Sequence, residues 1–244
     1  MNEFLTKSLA QIVNSNHRAA TVFEKYHLDF CCKGKRSLEK ACAEKQLKVE
    51  DVLSDLEKTN ENSCSIPVNY DCFSLTVLAD HIVAIHHNFV KKESPAILGY
   101  LQKVAFKHGG EHPEMLKVLE LFTAVKEEME HHMEKEESVL FPRIKKIEKI
   151  ITAGREIIIN STYLLSPINL IEEEHDYAGS LMAEIRQLTN NYIPPADACT
   201  TYRLSYASLE AFELDLHQHI HLENNLLFPK AVKLFNAADS CSLN

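Results

Sequence analysis

The chain has 244 residues and a net charge of −9, and its 13 His outnumber both its 6 Gly and its 8 Pro. The acidic balance argues against a protein that binds nucleic acid or an anionic membrane, since either partner requires a basic face. Scarce Gly and Pro argue against a turn-rich β-sandwich and favour long helices. We therefore expect an all-α protein whose surplus of His has a function.

The N-terminus lacks the charged, apolar and small-residue pattern of a signal peptide, and no apolar stretch is long enough to cross a membrane. These features predict a cytoplasmic protein with no membrane partner. The seven Cys are odd in number and spread along the chain, which in a reducing compartment indicates free thiols.

Periodicity divides the chain into a small helical unit, a linker and a bundle. Residues 1–58 carry short amphipathic patterns, and residues 59–74 lose them and gain Asn, Ser and Pro. Residues 75–244 predict an up-down four-helix bundle, with helices at roughly 75–107, 113–147, 166–190 and 197–236. The apolar segment REIIINSTYLL lies between bundle helices, so we interpret it as a packed connection and not as a strand.

Two segments of the bundle repeat the pattern H-x-x-x-E-x-x-x-L-F-P-[R/K]. They begin at His132 and His219, and their carboxylates are Glu136 and Glu223. Each follows a helix that carries another His: His86 lies 46 residues before His132, and His175 lies 44 residues before His219. The bundle therefore resembles a duplicated helix pair, in which the Leu-Phe-Pro supplies packing and a Pro that bends or ends the helix.

The H-x-x-x-E spacing places an imidazole and a carboxylate on one helix face about one turn apart. A single copy is usually an exposed ion pair, but two copies with matching flanks are improbable by chance. Four His and two Glu converging in a bundle suit a non-haem di-iron centre with oxo and carboxylate bridges, whereas one Zn²⁺ needs only three or four ligands. The predicted ligands are His86, His132, Glu136, His175, His219 and Glu223.

The remaining His receive other roles. His87 and His131 are turned about 100° from their ligand neighbours, which predicts surface positions, and His217 and His221 face the wrong side for the ion at His219. His81 is expected in the core or behind a ligand.

His108 is 22 residues after His86, or about 33 Å along a straight helix, so we prefer a capping role to a sharp bend at Pro95. Glu173 and Glu174, beside His175, either orient a ligand imidazole or form a solvated charge run, which is the commoner case.

Cys31 and Cys32 are adjacent in a predicted turn, and we call them the vicinal cysteines. Such a pair suits a strained disulfide, a redox switch or transient metal handling. The neighbouring Lys33 and Lys35 are expected to favour thiolates. The alternative is two small apolar residues in a turn, with no chemistry.

The chain resembles the repair-of-iron-centres family, the hemerythrin-like di-iron proteins of the ScdA and YtfE type. The resemblance is carried by YHLDFCCKGKRSLEKAC, by EEHDYAG around His175, by NNYIPPADACTTY and by the two repeated blocks, above all HIHLENNLLFPKA. It covers nearly the whole chain, with Cys-Cys-Lys-Gly where the family usually has Cys-Cys-Gly-Gly. Family ligands match the six residues named above, and a family histidine matches His108.

The resemblance implies a cytoplasmic protein, often homodimeric, that restores iron–sulfur clusters damaged by nitric oxide or peroxide by donating iron to damaged or apo proteins. The vicinal cysteines, on a small domain joined by the linker, are then an iron or electron relay. A second hypothesis is reduction of nitric oxide at the same site. A third is a dioxygen binder, which leaves the cysteines without a role.

Overall fold

The computed structural model describes residues 3–61, 69–155 and 162–241, and these residues are almost entirely helical. Within them, extended pairing is limited to one isolated antiparallel bridge between Ser8 and Ser37. The prediction of an all-α four-helix bundle after a small helical unit is confirmed. Residues 156–161 of the apolar segment REIIINSTYLL and the centre of the predicted linker, 62–68, lie outside the described residues, whereas the last four residues of that segment, 162–165, are helical.

The N-terminal unit contains a 3-10 turn at Glu3–Thr6 and four helices. These are α1 (Leu9–Ser15), α2 (Ala19–Lys25), α3 (Leu38–Glu44) and α4 (Val49–Glu61). Ser8 begins α1 with a reciprocal capping box to Gln11, and the side chain of Ser37 caps α3 at Lys40. The segment 28–36 between α2 and α3 carries the vicinal cysteines, as predicted.

Four bundle helices, A to D, follow a 3-10 turn at Tyr70–Cys72. Helix A joins α5 (Leu75–Ile82) to α6 (Asn88–His108), helix B joins α7 (Glu114–Lys135) to α8 (Phe141–Thr152), helix C is α9 (Thr162–Leu188), and helix D joins α10 (Thr200–Leu222) to α11 (Phe228–Cys241). None of the helices in the described ranges is long and apolar enough to pass through a membrane.

Helices A, B and D each contain a π-helical turn between their two α-helical parts. The turns are Val83–His87, Glu136–Leu140 and Glu223–Leu227. In B and D the turn directly precedes the repeated Phe-Pro, and the N–H of each Phe bonds the carbonyl of the Glu five residues earlier. Because Pro cannot join the α-helical ladder, the wider turn lets the helix continue where we expected it to bend or end.

Two apolar clusters fill the molecule. One includes Leu78, Ile144, Ile168 and Phe228 at one end of the bundle. The other is continuous from the bundle core, including Phe122, into the N-terminal unit. Between the two apolar clusters the bundle contains a layer of buried polar residues.

Candidate metal centre

A layer of six fully buried polar side chains lies between the two apolar clusters. Each is at most 1% exposed, and we call them the His/Glu layer: His87, His132, Glu136, His175, His219 and Glu223. Helix A supplies one imidazole and helix C another, while B and D each supply an imidazole and a carboxylate. In both helices the imidazole lies in the last turn of an α-helix, α7 or α10, and the carboxylate is the first residue of the π turn that follows.

The layer forms two groups that share both carboxylates. In each group one ligand atom from every residue lies within 4.8 Å of the others, and the groups are His87, His219, Glu136 and Glu223, and His132, His175, Glu136 and Glu223. The paired imidazoles face each other with Nε2 atoms 3.2 Å apart in the first group and 3.1 Å in the second. Each group therefore offers two imidazole nitrogens and two carboxylate oxygens, a set of ligands that suits one ion.

Glu223 lies between imidazoles of both groups. Its Oε1 is 2.9 Å from Nε2 of His219, and its Oε2 is 3.0 Å from Nε2 of His175. The carboxylate thus presents one oxygen to each group, which is the geometry of a ligand shared by two ions.

Glu136 occupies the equivalent position on helix B. Its Oε2 is 3.3 Å from Nε2 of both His87 and His132. Both of its oxygens, together with Oε2 of Glu223 and Nδ1 of His219, are buried without a hydrogen-bond partner. Buried polar atoms are normally satisfied, so unpaired carboxylate oxygens facing imidazole nitrogens fit a group that binds cations.

The pKa shifts of the layer also show that its two carboxylates favour positive charge beside them. Burial opposes protonation of His132, but the carboxylate of Glu136 outweighs it and raises the pKa of His132 to about 10. Burial likewise opposes protonation of His87, and the neighbouring carboxylates of Glu136 and Glu223 raise its pKa to about 9. The pKa of Glu223 lies well below its usual value despite burial, because the imidazoles of His219 and His175 contact it.

Three of the four imidazoles have an acceptor for their second nitrogen. Nδ1 contacts Glu137 Oε1 at 2.8 Å in His87, Glu174 Oε2 at 3.1 Å in His132, and Asn224 Oδ1 at 2.9 Å in His175. Such contacts direct Nε2 inward. Lys91 and Lys135 in turn contact Glu137 and Glu174. Of the two alternatives for Glu174, the structure favours the one in which it orients a ligand imidazole, which is that of His132.

The structure brings together five of the six predicted ligands, and His87 stands where we expected His86. The prediction that His87 is a surface residue is wrong, because its side chain is fully buried. His86 is also buried, but its Nδ1 contacts Asp215 Oδ1 at 2.9 Å and its ring stacks on His219, outside both groups. The π turn at Val83–His87 adds a residue to helix A and ends at His87, so a regular α-helical register does not show which of the two His faces inward.

One sequence signal favours His87. It lies 45 residues before His132, closer than His86 to the 44 residues between His175 and His219. The π turn itself has no comparable signature in helix A, because it lacks the Phe-Pro of helices B and D.

The other His lie outside the layer. His131 is exposed, as predicted. His217 contacts Glu24 of α2 at 2.8 Å, and His221 packs against Phe30, so both face the N-terminal unit. His81 packs against aromatic rings beside helix A.

His108 ends α6 without a bend at Pro95 that would bring it to the layer. Its Nε2 is 3.3 Å from Cys199 Sγ, and its ring stacks on Tyr202.

The vicinal cysteines lie where the N-terminal unit meets the bundle. Both are free thiols, and the Asn225 side chain donates to the backbone carbonyls of Phe30 and Cys31 at 3.3 and 2.9 Å. The expectation that lysines favour thiolates fails at Cys31. Its pKa is raised well above the usual value by a hydrogen bond with Cys32 and by burial.

The helical bundle and its His/Glu layer define a hemerythrin-like metal-binding protein. The model of the hemerythrin HHE cation-binding domain matches residues 78–231, and a domain of unknown function called ScdA_N matches residues 5–60.

Similar chains combine the same two parts. The protein is 34% identical to the "Iron-sulfur cluster repair protein YtfE" of Enterobacter sp. (strain 638) over 94% of this chain and 98% of that one. It is 35% identical to the proteins of that name from Escherichia coli O17:K52:H18 and Shigella boydii serotype 4, over 92% of this chain and 96% of theirs. The chain therefore belongs to the YtfE family of iron–sulfur cluster repair proteins.

Proposed function

We propose that the His/Glu layer binds two iron ions. His87 and His219 would hold one ion, His132 and His175 would hold the other, and both ions would share Glu136 and Glu223. The observation that carries this proposal is that the two groups of possible ligands share the same two Glu residues. Imidazole and carboxylate ligands without thiolate suit non-haem iron.

When bound, the iron pair supplies exchangeable metal and two accessible oxidation states. The chain's own residues hold the site in shape: acceptors at Nδ1 fix three of the four imidazoles, and the apolar clusters on either side exclude water. Each ion would have two imidazoles and two shared carboxylates as its protein ligands, fewer than the number of ligands that iron commonly takes. Iron with so few protein ligands is the easier to release.

The function we infer is restoration of iron–sulfur clusters damaged by nitrosative or oxidative stress, by donation of iron to a damaged or apo protein. The names of the relatives, which describe them as iron–sulfur cluster repair proteins, support this proposal. The partner is then any protein whose cluster thiolates accept iron from this chain.

We further propose that the vicinal cysteines relay iron or electrons between the layer and the partner. Their cavity supports this role, because it is lined by Asp176 and Ile220, which directly follow His175 and His219 in the chain. The cysteines therefore lie against the outer faces of two helices whose inner faces carry the layer.

The test is to load the protein with iron, add an apo iron–sulfur protein with sulfide, and follow cluster assembly by its absorption. We expect transfer from the parent protein, none from His132→Gln, and parental transfer from His131→Gln, a matched control at the exposed neighbour. If the intact protein transfers no cluster-forming iron, donation is wrong. If the double variant Cys31→Ser/Cys32→Ser transfers at the parental rate, the relay is wrong.

The two adjacent ligand groups also suit reduction of nitric oxide, because two iron(II) ions held there would supply the two electrons that the reaction needs. Two nitric oxide molecules, two electrons from the iron(II) pair and two protons would give nitrous oxide and water. Anaerobic addition of nitric oxide to the iron(II) protein separates the two functions. Nitrous oxide formed with oxidation of both irons would support the reductase, and its absence would leave donation as the account.

A further inference from the structure

A second cluster of metal-ligating atoms lies in the segment between α2 and α3. The Sγ atoms of the vicinal cysteines are 3.9 Å apart, and Sγ of Cys31 is 3.4 Å from Oδ1 of Asp29. One ligand atom from each of the three residues lies within 4.8 Å of the other two. The carboxylate is held in place because Oδ1 accepts hydrogen bonds from the backbone N–H of Cys32 and Lys33, at 3.0 and 3.2 Å.

These spacings match the edges of a tetrahedral coordination sphere. With metal–sulfur bonds of about 2.3 Å and metal–oxygen bonds of about 2.1 Å, two sulfurs are about 3.8 Å apart and a sulfur and an oxygen about 3.6 Å apart. The observed 3.9 and 3.4 Å differ little from these values. An ion can therefore be placed among the three side chains with small movements of their ends.

We propose that Asp29, Cys31 and Cys32 form a tetrahedral site for one divalent ion with affinity for thiolates, Zn²⁺ or Fe²⁺, whose fourth position is open. The site contains two sulfurs, which the His/Glu layer lacks. The two sites therefore differ in the kind of metal ligand they offer.

Asp29, Cys31 and Cys32 line a cavity of about 390 Å³ between the N-terminal unit and helices C and D, from which a fourth ligand can approach. Gly179 leaves room beside the thiols, because a Cβ at this position would lie 4.0 Å from Sγ of Cys32. Lys33 and Arg186 also line the cavity, so an anionic fourth ligand or a water molecule can be accommodated. A site with three protein ligands and one exchangeable position is typical of metal in use or in transit, and not of a closed structural site.

Binding conserves the charge of the site. A divalent ion replaces the thiol protons: two thiols bind one ion and release two protons to solvent. Two thiolates, one carboxylate and one divalent ion carry a net charge of −1, as do two thiols and one carboxylate before binding.

The geometry alone supports a site for a divalent ion, whereas the identity of that ion as Fe²⁺ rests on the proposed iron donation. If iron is donated, the ion at this site is Fe²⁺ on its way to the partner. If it is not, the same three residues still bind a divalent ion.

Cobalt is the probe for this site. Full-length iron-loaded protein, fully reduced at its thiols, is titrated anaerobically with Co²⁺. We expect one equivalent to produce thiolate-to-cobalt charge-transfer absorption and the intense visible bands of tetrahedral cobalt. The His/Glu layer contains no sulfur, so charge-transfer absorption reports only thiolate ligation.

Variants assign the ligands. Cys31→Ser and Cys32→Ser should each weaken Co²⁺ binding at least about tenfold. Asp29→Asn should weaken binding and change the visible bands, while its amide oxygen still accepts the two backbone hydrogen bonds. Cys72→Ser removes an exposed free thiol and serves as the matched control, with the parental titration expected.

A second measurement needs no variant. Zn²⁺ should protect Cys31 and Cys32 of the parent protein from alkylation and leave Cys72 reactive, as read by mass spectrometry of peptides. The proposal is overturned if Co²⁺ produces no charge-transfer absorption, if either Cys variant or Asp29→Asn titrates as the parent does, or if Zn²⁺ protects neither cysteine. Failure of cluster assembly with normal cobalt binding would instead overturn the iron-donation function.

Discussion

At the scale of single residues, the choice between two adjacent His decides the composition of the metal site. His87 points its Nε2 at His219 and Glu136, whereas His86 contacts Asp215 and stacks on the outer side of His219. Both are buried, so burial alone does not separate them. The direction of the imidazole does.

Matched substitutions distinguish these two roles. His87→Gln removes one of two imidazoles at one ion, so we expect fewer than two irons per chain and about tenfold or greater loss of affinity at that ion. His86→Gln keeps a hydrogen-bonding group for Asp215, and we expect it to retain two irons. The measurement is iron per chain after loading and desalting. Equal iron loss in both variants would contradict the assignment.

Gly34 matters for a different reason, which is space. A Cβ at this position would lie 2.2 Å from the carbonyl oxygen of Phe30 and 2.9 Å from Cβ of Ala10. The adjacent Lys33, where the family usually has Gly, has no positive φ. The lysine therefore fits this turn, and the following glycine is the required one.

We expect Gly34→Ala to destabilise the protein by about 1–3 kcal/mol, because backbone must move to admit the methyl group. Gly99→Ala is the control: nothing lies within 4 Å of a Cβ there, and Ala in a helix interior should stabilise by about 0.5–1 kcal/mol. Urea unfolding measures both. A neutral effect of Gly34→Ala would show that the turn is looser than described.

At the scale of single residues, sequence patterns predict which side chains come together better than they predict the surroundings of each side chain. The H-x-x-x-E spacing correctly brings His132 and Glu136 together because i and i+4 share a helix face. The pKa of Cys31 could not be read from Lys33 and Lys35, since burial and Asp29 act through the fold.

At the scale of elements, the π turns set which side chains face inward. Glu136 and Glu223 each begin such a turn, and His87 ends one. A rotation of about 100° per residue holds only for a regular α-helix. The direction of a side chain at the end of a π turn, such as that of His87, is therefore predicted wrongly from the sequence. Helix length and order depend on periodicity over many residues, and were therefore predictable.

One π turn also contacts the N-terminal unit. Asn225 donates to the carbonyls of Phe30 and Cys31, and its own carbonyl accepts from Asn14. We expect Asn225→Ala to speed amide hydrogen exchange in residues 28–33, because the segment loses its hydrogen bonds to the bundle. Asn88→Ala, which removes a bond within one helix, is the control. Unchanged exchange in the first variant would mean that apolar contacts alone hold the segment.

Helices α2 and α4 are joined by Asp55, which accepts from Lys25 at 2.6 Å and from Tyr26 at 3.0 Å. The hydrogen bond from Lys25, followed by that from Lys58, lowers the pKa of Asp55 below its usual 3.8. A lowered folded-state pKa contributes stability above pH 3.8 that is lost as the pH falls further.

Acid unfolding of Asp55→Asn tests this contribution. The variant should be less stable than the parent near neutral pH, and the difference should shrink below pH 3.8. A difference that stays constant through this range would show that the ion pair does not contribute to acid sensitivity.

At the scale of the whole molecule, a polar layer separates two apolar clusters, and the N-terminal unit shares the larger one. Two buried carboxylates with unpaired oxygens are costly in a protein interior unless cations neutralise them. Metal binding is therefore expected to stabilise the bundle by linkage. The homodimer implied by the family resemblance stays a prediction.

The overall architecture was predictable because duplication and helical periodicity extend over most of the chain. The docking of the N-terminal unit was not, since it depends on contacts such as that between His217 and Glu24, 193 residues apart. A sequence pattern describes one helix at a time, whereas this surface arises from the turn and two bundle helices together.

The central claim is that the His/Glu layer holds two iron ions joined by shared carboxylates. Iron content together with the Mössbauer spectrum of protein loaded with ⁵⁷Fe tests it most directly. We predict two irons per chain in the exchange-coupled state of a bridged pair, lost together in Glu136→Gln. One iron per chain, or two irons that are magnetically independent, would contradict the account.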